Sequence, residues 1–283
     1  MNISLFVALA VIAVVVSVLL RQGKLRRVRT LRATPPPETW QPILERNFTV
    51  VARLAEEQRR QLFGYMQVFL DRIRFEGCGG QEITEEVKIT ITAQACLLLV
   101  GREQKVYPKL KTVLVYPHTY QSGQRGMFGG DNGQGTRLGE SWGCGVVVLS
   151  WNSVLGGAHN LEDGHNVTMH EFAHQLDQVD GAADGAPILG SRSAYVSWAK
   201  VLSADYDRLR RETARGKRDV LDSYGATNPG EFFAVATETF FEKPRQLQKN
   251  HPELFEELHA YYKVNPLDWL TVKKHIDATN KTS

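Results

Sequence analysis

The residues best suited to chemistry form one short run, His170-Glu171-Phe172-Ala173-His174, an HExxH. Two histidines four positions apart on a helix project the same way, so both imidazoles can meet one divalent cation. Glu171 is displaced around the helix and reaches a water on the ion rather than the ion itself. Zinc lowers the pKa of such a water to about 7, and a glutamate can take its proton as the water attacks a carbonyl. Val167-Thr168-Met169 makes a helix entry, and no proline follows before Gln178. Phe172 and Ala173 suit a helix packed into a core, as a buried metal helix requires, and argue against an exposed helix carrying two unrelated histidines.

Two imidazoles call for a third protein ligand, with solvent in the fourth position. The longer pattern HExxHxxGxxH is absent, because Asp177 and Asp180 stand where its glycine and third histidine would fall. A glutamate from a later helix is then the expected type. Glu231 and Glu238, seven apart, share one helical face. Glu231 also fits the third position of a capping box behind Asn228 and Pro229. On residue chemistry alone the two glutamates are equal candidates. Asp177 can hold the outer ring nitrogen of a metal-bound histidine or cap the loop that ends the helix. His159 and His165 sit in a polar loop and are expected to be solvated. Tyr224, taken alone, reads as a half-buried core tyrosine.

These residues need a scaffold. The chain has 283 residues with 42% hydrophobic content, ordinary for a globular protein and enough for one large domain or two small ones. Cys78, Cys96 and Cys144 are too few and too scattered for a disulfide framework, and they form no CxxC. Helical periodicity is expected over Val51–Ile73, Thr84–Val100, Val167–Gln178, Ser193–Thr213, Pro229–Phe241 and Pro252–Tyr262. Thr112–Tyr116 and Gly145–Ser150 read as strands. The second of these could be an edge that pairs with an extended peptide, although such a run is more often core. Trp142 and Trp151 flank it and either line a cleft or pack. Between the strands, residues 117–144 hold eight of the 24 glycines and form a long loop or a cover over a cleft. Helices, a few strands, then helices again indicate an α+β fold, mostly helical with a small sheet. No phosphate-binding loop and no repeat is present.

The N-terminus has a different character. Ile3 to Leu20 is an 18-residue run without a charge, long enough as a helix to cross a bilayer. No basic residue precedes it and no good cleavage site follows, which favours a retained transmembrane anchor over a signal peptide. Six of the 34 basic residues and none of the 31 acidic ones lie in residues 1–32, so the rest carries 28 positive charges against 31 negative. That balance removes most support for direct nucleic-acid binding. The basic cluster after the span places the folded part on the cytoplasmic side of a bacterial inner membrane. The expected organisation is an anchor at 1–20, a basic and proline-rich linker at 21–39, a folded domain at 40–277 and a disordered tail at 278–283.

The segment from His170 to Asp177, followed by Asp180-Gly181, Asp184-Gly185 and Pro187, resembles the Mlc titration factor A family of zinc peptidases. Tyr224, Asn228-Pro229-x-Glu231-Phe232-Phe233-Ala234 and His251-Pro252-Glu253-Leu254…Tyr261-Tyr262…Asn265-Pro266-Leu267 carry the same resemblance, which covers roughly Gln58 to Leu267. Around the active site that family is similar to the anthrax lethal factor metalloprotease domain, with a glutamate seven residues after a tyrosine. The resemblance implies a zincin-like peptidase domain of the gluzincin type, with one Zn²⁺ held by His170, His174 and Glu231. It implies Glu171 as general base, Tyr224 as the donor to the oxyanion, and Glu238 in a supporting place. It implies a peptide or protein substrate and includes aminopeptidase activity on small substrates. It also implies an alternative from another class, a regulatory protein that binds a transcriptional regulator with zinc mainly structural.

Overall fold

The computed structural model describes residues 3–118, 120–121, 136–137, 139–142 and 145–270, with the backbone alone at 3–8, 120–121, 136–137 and 139–142. The helices are α1 (Ile3–Ala33), α2 (Trp40–Asn47), α3 (Glu56–Arg72), α4 (Glu85–Leu97), α5 (Trp151–His159), α6 (Val167–Asp177), α7 (Arg192–Ala214), α8 (Pro229–Glu242), α9 (Pro244–Asn250) and α10 (Pro252–Tyr262). The strands are β1 (Arg74–Gly77), β2 (Thr112–Tyr116), β3 (Tyr120–Gln121), β4 (Thr136–Arg137), β5 (Gly139–Trp142) and β6 (Val146–Ser150). Single 3₁₀ turns lie at Thr49–Arg53 and Ser223–Ala226. The α+β expectation holds: the protein is mostly helical with a small sheet.

The sheet runs β1-β2-β6-β5. β1, β2 and β6 are parallel, with Arg74 opposite Thr112 and Thr112 opposite Val146. β5 is antiparallel to β6, with Gly139 opposite Leu149 and Trp142 opposite Val146. Of the two readings open for residues 145–150, an edge or core, the structure bears out core. β6 is paired on both sides, so its N–H and C=O groups are spent, and its buried valine and leucine side chains make it core. Gly145 turns the chain into β6 at φ +85°, where a Cβ would lie 2.4 Å from the Lys109 carbonyl oxygen. β3 and β4 form a separate two-stranded pair. Most of the glycine-rich segment, and with it the expectation of a cover, lies outside the described residues, as does the Trp142 side chain. Trp151 opens α5 and packs half-buried against the core.

Residues 84–100 are helical as expected. Thr84 caps α4 through a bond its hydroxyl accepts from the Val87 N–H, 3.3 Å. From Ile89 to Leu97, α4 is buried on every side; even Thr90, Thr92 and Gln94 are enclosed. α4 therefore serves as a central post on which α3, α5 and α6 pack. Phe172 of α6 meets Phe69 of α3 at 5.7 Å and Tyr107 at 4.8 Å between ring centroids, which fixes the HExxH helix to α3 and to the loop after α4.

The N-terminal expectations change most. The basic part of the stretch read as a linker is helical through Ala33, and the break comes at Pro35-Pro36-Pro37. The second half of α1 is docked on α3. Arg27 pairs with Asp71, with Nε 3.0 Å from Oδ2. Arg32 lies over the Tyr65 ring at 4.5 Å and donates to the Gln104 carbonyl at 2.8 Å. Val28 and Leu31 touch the core. Gly64 allows this approach, since a Cβ there would sit 3.0 Å from the Arg32 carbonyl oxygen. Among the described residues no helix is long and apolar enough to cross a membrane.

Candidate metal centre

α6 begins at Asn166, whose side-chain oxygen accepts from the Met169 N–H at 2.9 Å. The cap sets the helical phase that puts His170 and His174 on one face, with ring centroids 4.9 Å apart. α8 begins likewise at Asn228, which accepts from the Glu231 N–H at 3.0 Å, with Pro229 in the first turn. Glu231 therefore occupies the capping-box position in backbone terms, while its carboxylate turns away from the cap to the imidazoles. Its Oε2 lies 2.9 Å from His170 Nε2 and 3.3 Å from His174 Nε2. The two Nε2 atoms are 3.3 Å apart. The loop leaving α6 is pressed against the start of α8 at Gly185. Its φ is +76°, and a Cβ there would meet the Pro229 carbonyl oxygen at 2.4 Å.

These three atoms fit a zinc ion. Bonds of about 2.0–2.1 Å in a tetrahedral site place ligand atoms about 3.3 Å from one another. The proton positions agree. His170 Nδ1 lies 2.6 Å from Glu238 Oε1, an acceptor, so Nδ1 carries the hydrogen and Nε2 presents a lone pair to the cluster. Glu231 Oε2 is also an acceptor. Converging lone pairs demand a cation. Burial would lower the pKa of His170, but its bonds to Glu231 and Glu238 outweigh that and raise it. Burial would raise the pKa of Glu231, but its bonds to His170 and His174 hold it down at about 2. Among the described residues, His170, His174 and Glu231 are the one group of three that could hold a metal ion.

Glu171 is only 4% exposed, and its Oε2 has no partner among the described residues. Burial lifts its pKa to about 7, against the opposing pull of His170 and His174. Tyr224 lies in the Ser223–Ala226 turn, 55% exposed, with its ring centroid 5.9 Å from that of His170. All five expected site residues are thus brought together.

The supporting residues separate the alternatives left open by the sequence. Glu238, and not Asp177, holds the outer nitrogen of His170. Asp177 instead accepts from the Gly185 N–H at 3.0 Å, so it caps the loop after α6. Burial raises its carboxyl to about 6. His165 stays outside the cluster, 3.6 Å from Asp222, and His159 Nε2 faces Asn47 at 3.5 Å. Two buried contributors were missed. The Asn166 N–H donates to Glu238 Oε2 at 2.6 Å, and its side-chain amide donates to Glu242 Oε1 at 3.1 Å. The signals were available: Asn166 is an N-cap type ahead of the motif, and Glu242 lies one turn beyond Glu238. Glu238→Ala is expected to weaken metal affinity about 10- to 100-fold, read by competition with a chromogenic chelator. Unchanged affinity would reduce Glu238 to a packing residue.

Comparison with known proteins agrees with this geometry. The model of a family described as glucose-regulated metallo-peptidase M90 matches residues 22–263. An uncharacterized protein of Synechocystis sp. is 42% identical over 245 residues, covering 85% of this chain and 89% of the relative. Proteins called Mlc titration factor A from Yersinia pestis and Yersinia pseudotuberculosis are 27% identical over 227 residues, covering 78% of this chain and 83% of theirs. With the match taking in every ligand of the candidate centre and most of the helical scaffold, the chain belongs to the M90 family of metallopeptidases.

Proposed function

We propose that the chain is a zinc-dependent peptidase. The observation that carries this reading is the convergence of His170 Nε2 and His174 Nε2 of α6 with Glu231 Oε2 of α8 within 3.3 Å of one another, α6 also carrying the buried Glu171 carboxylate. Zinc, when bound, supplies a Lewis acid for the scissile carbonyl and an acidified water. Glu171 takes the proton from the attacking water and returns it to the leaving amine. Tyr224 donates its phenolic hydrogen to the oxyanion that forms at the carbonyl. Glu238 keeps His170 in the tautomer that leaves Nε2 for the metal. Small peptides with a free amino terminus are the first substrates to try, an expectation from family resemblance. The test is a peptide-library digest with wild type and Glu171→Gln side by side.

Residues 3–20 attach this domain to the bacterial inner membrane, with the domain on the cytoplasmic side. Support comes from the charge-free run and from the nine large apolar side chains of Leu9–Leu20, each 47–63% exposed, which find no core to cover them. The full chain is expected to stay with membrane vesicles through an alkaline wash, and a chain starting at Arg21 to remain in the supernatant. Release of the full chain by the wash would rule out an integral anchor.

A second reading, a protein that binds a transcriptional regulator, draws on the name Mlc titration factor A carried by relatives. Stable capture of a regulator that ignores Glu171 would favour it.

A further inference from the structure

A cavity of about 590 Å³ reaches Asp222 and Ser223, the two residues before Tyr224, and His165, immediately before the Asn166 cap of α6. Its walls meet where His165 Nε2 lies 3.6 Å from Asp222 Oδ2. From the Asn166 cap to His170 is four helical steps, about 6 Å at 1.5 Å each, and His165 stands one residue, at most about 3.8 Å, before the cap. An extended peptide covers that distance in two to three residues at about 3.3 Å per residue. A chain held at the metal by its scissile carbonyl can therefore place a nearby group in this cavity.

The cavity's charged groups differ in what they have left to offer. Its acids are engaged. Asp163 accepts from the Asn160 side chain at 2.6 Å and from the His165 N–H at 2.9 Å. Asp219 accepts from His251 at 2.7 Å, and Asp222 from the Tyr224 N–H at 2.7 Å. Lys217 is taken by Glu212 at 3.2 Å. Arg218 and Lys243 also line the cavity, and neither side chain has a hydrogen-bond or ion-pair partner among the described residues. Lys243 is set in place by an absence: Gly164, at φ +74°, has no side chain, and a Cβ there would crowd Lys243 Nζ at 3.2 Å and Cδ and Cε at 3.3 Å. What the cavity presents to a ligand is therefore two unspent cationic donors, which suit a carboxylate.

We propose that this cavity is a substrate subsite in which Arg218 and Lys243 grip a carboxylate of the peptide, an acidic side chain or a free C-terminus, two to three residues from the scissile bond. The proposal rests on the peptidase reading, so its test is a binding measurement that needs no turnover. Full-length Glu171→Gln protein, loaded with zinc, is titrated with fluorescent peptides in which Glu or Gln is placed at successive positions, each made as C-terminal acid and amide. The expected result is binding about tenfold tighter for the carboxylate-bearing peptide at one register, with the advantage shrinking as salt rises. The acid and amide pairs distinguish a side chain from a C-terminus. Arg218→Ala combined with Lys243→Met, which keeps the packing over Gly164, is expected to erase the advantage while zinc content and binding of the neutral peptide stay unchanged. An advantage that survives the double substitution, or none in the parent protein, overturns the subsite. Wild-type digestion of the same peptides reports separately on the peptidase reading. Cleavage indifferent to charge sinks the subsite alone, and charge-selective binding without any cleavage sinks the peptidase alone.

Discussion

Glu171→Gln protein is expected to bind zinc as tightly as wild type and to hydrolyse peptides about 10²- to 10⁴-fold more slowly. The substitution keeps the shape of a side chain that is 4% exposed and removes only the capacity to take a proton. None of the three ligand atoms belongs to residue 171, so the metal should remain. An ordinary glutamate in water is too weak a base at neutral pH to drive this transfer well. Burial works to raise the pKa of Glu171, which strengthens it as a base toward a zinc-acidified water. The new amide is not silent in the fold. It exchanges an oxygen without a partner for a buried N–H₂ group, which costs about 1–3 kcal/mol of stability. Activity must therefore be compared well below the melting transition, with metal content measured on the same samples. Equal hydrolysis by the two proteins would falsify the role of Glu171 and, with it, the mechanism.

The ligand set was legible in the sequence because helical spacing is a local property. A separation of four residues fixes the direction of His170 and His174 whatever the rest of the fold does. The third ligand was harder. Glu231 and Glu238 share a face, and both prove to contact His170, one at each ring nitrogen. What separates them is which side of the imidazole each end of α8 reaches, and that depends on packing between α6 and α8. The same long-range dependence explains Asp177. Its sequence position suits a bond to a histidine, but the turn at Gly185 brings an N–H to it first.

The fold was legible where periodicity had a single cause. α7, α8 and α10 are amphipathic or cap-bounded, and their expected limits agree with those observed to within about one residue. β1 escaped notice because Arg74-Phe75-Glu76-Gly77 is an edge strand with little buried surface and no alternation. α9 escaped because a proline-led turn of seven residues carries one fully buried apolar side chain beyond its proline, Leu247. The docking of α1 escaped because Val28 and Leu31 are diluted by arginines. Only the structure shows Arg27 and Arg32 spending their charge on α3 and the loop after α4. Basic residues adjoining an apolar run thus had two roles open to them, membrane-side charge and domain contact, and composition cannot separate the two.

Removing the His251 side chain is expected to cost about 3 kcal/mol of stability at pH 6 and much less above pH 9. His251 is fully enclosed and bridges two carboxylates, Asp205 on α7 at Nδ1 and Asp219 at Nε2, each 2.7 Å away. Burial would depress its pKa, but the bonds to Asp205 and Asp219 prevail and hold it at about 9. Against an unfolded value of about 6.5, that shift is worth about 3 kcal/mol. The sign follows from the direction. A group whose folded pKa is raised contributes fully below its unfolded pKa, so the bonus is complete below about 6.5 and drains away as pH rises through about 9. In His251→Gln two buried carboxylates face each other without a cation, and that bonus is absent. Glu242, which burial raises to about 8, titrates in the same window. The measurement must therefore be the difference in denaturant unfolding free energy between wild type and variant at each pH. A difference that does not narrow between pH 6 and pH 9.5 would mean that His251 is neutral in the fold. The ion trio also bears on the site, because Asp219 opens the stretch that ends at Tyr224. Loosening it should therefore lower kcat while leaving zinc affinity, set by α6 and α8, untouched.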